Sequence, residues 1–163
     1  MPRRIFSNKV LQFTIPGRAL CIGATESRFR SENHGESQRL GEKGYIAIAR
    51  FSAKSAVVEQ GWEMVDDEPI YMIVTINVGP GSVMRRLPRE KMWRGETLAT
   101  REPRLSNILQ MLMTAFTGVV WKKKAQVVGS LLVKKYTKGS QCVEVLIGRP
   151  KNWGELNHDL RNA

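Results

Sequence analysis

Leu105, Ile108, Leu109, Leu112, Phe116 and Val119 recur at the 3.6-residue spacing of a single helix face. No other feature of the chain restricts its fold as much. An apolar stripe of that length has to be buried, so the rest of the sequence must supply a second apolar surface to receive it. Ser106 or Asn107 stands where a side chain can cap the first turn. The stretch 105–121 is as long as the shortest membrane spans, roughly 17 residues, but it contains Gln110, Gly118 and three Ser or Thr residues. It therefore predicts a buried helix, and no segment of the chain predicts a transmembrane one.

The receiving surface is read from the β-rich runs. Lys9 to Ile15 alternates loosely and meets the Pro16-Gly17 turn, with Ala19 to Ala24 as a continuation. Tyr45 to Phe51 alternates as a strand does. Ile70 to Val78 is the richest β segment, bounded by the acidic turn Asp66-Asp67-Glu68-Pro69 and by Gly79-Pro80-Gly81. Val127 to Tyr136 and Gln141 to Ile147 flank Lys138-Gly139 and read as an antiparallel hairpin. The expectation is a single α+β domain over residues 1–163, an antiparallel sheet packed against one long apolar helix. Residues 27–43 are expected as a mobile loop. Residues 83–104 are expected as a basic surface loop with at most a short helix at Arg89 to Trp93, and 148–163 as a loosely packed tail.

Charge is unevenly distributed. The chain carries 26 Lys and Arg against 15 Asp and Glu, a net charge of +11. Residues 85–138 hold 13 of those cations and only three acids, so nearly the whole surplus lies in one third of the chain. A concentrated surplus points to a polyanionic partner, either nucleic acid or an anionic membrane. The candidate binding residues are Arg85, Arg86, Arg89, Lys91, Trp93, Arg94, Arg101, Arg104, Trp121, Lys122, Lys123, Lys124, Lys134, Lys135 and Lys138. Trp93 and Trp121 would stack on bases or enter a lipid interface. Blander readings exist for each cluster: Lys122 to Lys124 as a helix C-terminal cap, Lys134 and Lys135 as edge-strand protection, Trp93 as a core residue.

Catalytic constellations are not legible. His34 and His158 stand in polar surroundings, and neither a phosphate-binding loop nor a dinucleotide fingerprint occurs. Asp66, Asp67 and Glu68 have no second carboxylate cluster at a metal-binding spacing. A non-enzyme without cofactor or bound metal is expected; a metal-dependent nuclease using Asp66 is the enzymatic alternative. Cys21 and Cys142 are distant and unmotived, which reads as reduced core thiols. The start of the chain lacks the apolar run of a secretory signal, so an intracellular protein is expected.

The segment Gly129 to Ile147, an apolar strand, a Lys-Lys pair, a glycine turn and a second apolar strand, resembles in pattern the C-terminal end of rhabdovirus matrix proteins. The wider order of β segment, basic loop, apolar helix and β again resembles that family and the smaller bornavirus matrix proteins, over about the last 95 residues. The chain departs from the pattern in lacking a Pro-Pro-x-Tyr motif and a lysine-rich N-terminus. What the resemblance implies is a viral structural protein that self-associates. It would bind RNA or nucleocapsid and contact the inner face of an anionic host membrane peripherally, in virion and host cytoplasm. The alternative is a sequence-tolerant RNA-binding protein, a silencing suppressor or RNA-packaging protein, with no membrane role.

Overall fold

The structure is a computed structural model that describes residues 6–19, 34–79, 89–96, 99 and 103–150, with backbone alone for Ser7, Asn8, 34–42 and Arg89. In chain order the elements are β1 (Phe6–Pro16), α1 (His34–Glu59), β2 (Ile70–Val78), α2 (Arg89–Trp93), α3 (Leu105–Phe116), a 3-10 turn (Lys124–Gln126), β3 (Val127–Tyr136) and β4 (Cys142–Pro150). The four strands form one sheet in the order β1-β4-β2-β3. This is a mixed α+β architecture with a single core.

The sheet corrects two expectations. β2 pairs antiparallel with β4 but parallel with β3, so the sheet is mixed rather than antiparallel. β3 and β4 form no hairpin, because β2 lies between them and the connection 137–141 crosses its end, tied there by Thr137 N–H donating to the Val78 carbonyl at 3.0 Å. The reason lies in side-chain character. β2 is buried or half-buried at every position, toward both faces, and gains most from an interior place in the sheet. β3 exposes Leu131, Val133 and Lys135 and carries two adjacent lysines, which suits an edge.

Two helices cover one face of this sheet. α3 buries Ile108, Met111, Leu112, Ala115 and Phe116 with those strand residues that point inward, among them Leu11, Ile15, Met72, Val74, Ile76, Val143, Val145 and Ile147. It starts at Arg104 with no side-chain cap, so neither Ser106 nor Asn107 plays that part. It also stops earlier than the apolar spacing predicts. Gly118 adopts φ 77°, a left-handed turn that takes Val119 off the helix.

The second covering helix is α1, where residues 34–43 were expected within a mobile loop and Tyr45 to Phe51 as a strand. Tyr45, Ala49, Ala53 and Ala56 are all buried, at spacings of four, four and three. Alanine is the best helix former, and a stripe of it lets the helix lie close to the sheet. Residues 27–33 lie outside the described residues. Among the described residues α1 is the longest helix, and it shares the packing with α3, so one long apolar helix does not carry it alone. At its C-terminus Gly61 takes φ 58°. Beyond it, the Gln60 side chain accepts from the Gln12 N–H at 3.1 Å and donates to the Gln12 carbonyl at 2.6 Å, clasping β1 along its free edge.

The short helix expected at Arg89 to Trp93 is present as α2, with Met92 buried. β1 and β2 match their expected strands. Gly148 to Pro150 belong to β4, paired with β1, rather than to a loose tail; 151–163 lie outside the described residues. Among the described residues no helix is long and apolar enough to cross a membrane.

Tyr45 places its hydroxyl in the core without a hydrogen-bond partner among the described residues, and burial raises its pKa well above the ordinary phenolic value. An unpaired buried hydroxyl stabilises nothing. Tyr45→Phe should therefore leave stability unchanged or raise it by up to about 1 kcal/mol, read from urea unfolding midpoints.

Candidate nucleic-acid interface

The described structure divides the basic residues into three groups with different surroundings. Lys122 and Lys123 follow the turn that closes α3 and face the acidic turn before β2. Lys122 Nζ lies 2.6 Å from Asp66 and Lys123 Nζ 3.5 Å from Asp67. Glu68 completes the set by pairing with Arg149 at 2.7 Å. The hydrogen bond and charge of Lys122 hold the Asp66 carboxyl below its usual range, and Asp66 in turn raises Lys122. These are exposed pairs, worth little in stability, but they neutralise the cations at that end of the molecule. The three carboxylates each face a cation, and among the described residues no cluster of three His, Cys, Asp or Glu is placed to hold a metal.

The neighbouring Trp121 is fully buried. Its ring meets Phe116 edge-on at 5.7 Å and its Nε1 donates to Thr117 Oγ1 at 3.2 Å. Val65 bridges to it along the backbone, and Trp62 Nε1 donates to the adjacent Val120 carbonyl at 3.3 Å. Trp121 thus locks the 61–70 connection onto the end of α3, and the expectation that it stacks on a ligand is corrected. The aromatic next to a lysine run is core because Gly118 has turned the chain inward before it.

The second group lines β3. Lys124 precedes the strand and donates to Thr114 Oγ1 on the exposed side of α3 at 3.0 Å. Near the other end of β3, Lys134 donates to the Pro103 carbonyl at 3.0 Å, beside Arg104 at the start of α3. Lys135 points to the opposite face of the sheet and is exposed, as is Lys138. Nine strand steps of about 3.3 Å separate the ends of β3, so the cations are spread over about 30 Å of one sheet edge.

The third group joins this edge at its far end. Lys138 Nζ sits 4.6 Å from the centroid of Trp93, a cation–π contact that brings α2 to the end of β3. Trp93 is half-buried and its Nε1 has no partner among the described residues. Together with Lys135, Tyr136, Thr137, Asn77, Cys142 and Glu144 it lines an open cleft of about 410 Å3. Asn77, buried in β2, donates to Glu144 at 2.7 Å on the cleft wall. Sequence reading missed these strand residues; the signal was an asparagine inside an otherwise apolar strand. Lys91 on α2 and Arg94 in the turn after it are exposed, with Arg94 3.8 Å from Glu90. Arg89 belongs to α2, while Arg85, Arg86 and Arg101 lie outside the described residues.

No family model matches the chain, and no curated protein matches it significantly.

Two measurements check this division. Trp121→Ala should cost about 3–5 kcal/mol in urea unfolding, the loss for removing a buried large aromatic. In an NMR titration the Asp66 midpoint should lie below its ordinary 3.8 and return toward it in Lys122→Ala. Because its folded pKa is depressed, the pair contributes above the unfolded value, and that contribution disappears as pH falls through the lowered one.

Proposed function

We propose that this protein binds RNA, with little regard to sequence, along the β3 edge. The observation that carries the reading is the sorting of cations. Lys122 and Lys123 are matched by Asp66 and Asp67, whereas Lys124, Lys135 and Lys138 carry no ion pair to a described acid along about 30 Å of β3. Phosphates are the ligand for such a row, since each one neutralised releases condensed counterions. Trp93 at the end of the row offers a partly exposed ring, and Val128, Leu131 and Val133 offer apolar surface between the cations. Binding alone, without a catalytic step, accounts for these groups.

The matrix-protein reading shares this RNA face and adds an anionic membrane and self-association. Its interfacial aromatics reduce to Trp93, since Trp121 is in the core. RNA without membrane is therefore the reading favoured here, and liposome flotation after nuclease treatment separates the two. Flotation with acidic vesicles that survives nuclease would restore the matrix reading.

Binding of a single-stranded RNA should weaken steeply between about 50 and 200 mM salt, with a log–log slope near −3 if four or five phosphates are neutralised. Lys135→Ala with Lys138→Ala should flatten that slope by about 1.4, while Lys122→Ala with Lys123→Ala should hardly change it. Anisotropy titration of a labelled oligonucleotide decides. Equal losses from the two double variants would refute the assignment to β3.

A further inference from the structure

The cleft at the far end of β3 contains a group that a row of phosphate contacts does not explain. Glu144 stands exposed on its wall beside Lys135 and Lys138, and it forms no ion pair with a described cation. A carboxylate there repels an RNA backbone, so a surface built for phosphate alone would be better without it. It is nevertheless held in place. Asn77 is 6% exposed in the interior strand β2, a setting from which asparagine is normally depleted. Its Nδ2 donates to Glu144 Oε1 at 2.7 Å and to Cys142 Sγ at 3.3 Å, so this buried amide serves to orient the carboxylate. The sheet register sets what stands across from it. Lys135 on β3 lies opposite Asn77 on one side, and β4 with Glu144 lies on the other. An ammonium and a carboxylate therefore flank Asn77 across two strand spacings, roughly 10 Å. Trp93 adds an aromatic wall. The Lys138 ammonium over its ring is exposed, so that ring face is reached once the ammonium swings to a phosphate. An exposed cation–π contact is weaker than the stacking of a base, which favours the exchange.

We propose that this cleft binds one unpaired guanine of the RNA strand. Glu144 accepts from its N1–H and 2-amino group, Lys135 donates to O6 and N7, and the ring stacks on Trp93. The inference rests on the RNA reading and adds one base contact to a row that otherwise meets only backbone. The carboxylate is what selects the base. Adenine and cytosine present a single amino group beside a ring-nitrogen lone pair, and uracil presents N3–H between two carbonyls, so each sets an acceptor against Glu144. Guanine alone offers two adjacent donors. A carboxylate has about four acceptor positions, so Oε1 holds Asn77 and still leaves room for the base. Another edge of guanine carries O6 and N7, the usual acceptors for a lysine. The cleft is open at about 410 Å3, which suits a base still attached to its strand rather than an enclosed free metabolite.

Anisotropy titration of the full chain tests this with short labelled oligouridines, either unbroken or carrying one central guanosine, adenosine, cytidine or inosine. The guanosine strand should bind about tenfold tighter than unbroken oligouridine, with the adenosine and cytidine strands close to the latter. Inosine keeps N1–H but lacks the 2-amino group and should fall between. All affinities should drop as salt rises while the guanosine-to-uridine ratio holds, because a base contact releases no counterion. Glu144 is exposed, so Glu144→Gln should give the circular dichroism of the parent. It should bring the guanosine strand down to the oligouridine level and leave oligouridine binding no weaker. Oligouridine binding that gains nothing from guanosine overturns the guanine site and leaves the RNA reading standing. A gain that survives Glu144→Gln overturns the assignment to this cleft. Failure of every strand to bind, or binding that salt does not weaken, overturns the RNA reading and the guanine site with it.

Discussion

The fold depends on β2 being sandwiched in the plane of the sheet. Its inward side chains, Ile70, Met72, Val74, Ile76 and Val78, form the floor on which α3 and α1 rest. Its outward Tyr71 joins Phe6 in a small cluster on the other face, where ring centroids are 6.3 Å apart. A strand buried on both sides loses most by standing at an edge. That demand pulls β3 to one flank and β4 to the other although they are neighbours in the chain. The price is a five-residue connection over the end of β2, and the cleft beside Trp93 opens where this crossing leaves the sheet.

What could be read from the sequence follows from which signals are local. β2, β1 and α2 were legible because their apolar runs and turn residues lie within one element. The α3 stripe was legible, but its end was not, since Gly118 acts through backbone handedness rather than hydropathy. α1 departs from the expected strand because its buried contacts come largely from alanine, a residue that carries little hydropathy contrast, while Tyr45, Ala47, Ala49 and Phe51, set against Ile46, Ile48 and Arg50, imitate a two-residue alternation. Strand order could not be read at all. Whether two adjacent strands pair with each other or admit a third between them is settled by competition for the interior, a property of the whole sheet.

The candidate interface was legible as a surplus of charge and illegible as a surface. Composition counts Lys122 and Lys135 alike, yet one meets an aspartate at 2.6 Å and the other faces an open cleft. The acidic turn that neutralises Lys122 and Lys123 is more than fifty residues away in sequence. Two tryptophans next to basic residues likewise separate only in the fold. Trp121 is held by Phe116 and Thr117 inside the core, while Trp93 stays at the rim under Lys138.

The two margins of the sheet are finished differently. On β1, the amide of Gln60 occupies both hydrogen-bonding groups of Gln12 in the way a neighbouring strand would. β3 has no comparable clasp among the described residues and relies on lysines. Lateral growth of the sheet is therefore closed by a lock at one side and only by like charge at the other. Were a polyanion to cancel that charge, the deterrent would go with it, and β3 would then accept a foreign strand most readily. At the opposite margin Gln60 already occupies the outward hydrogen-bonding groups of Gln12, so such an encounter is directed to the β3 edge.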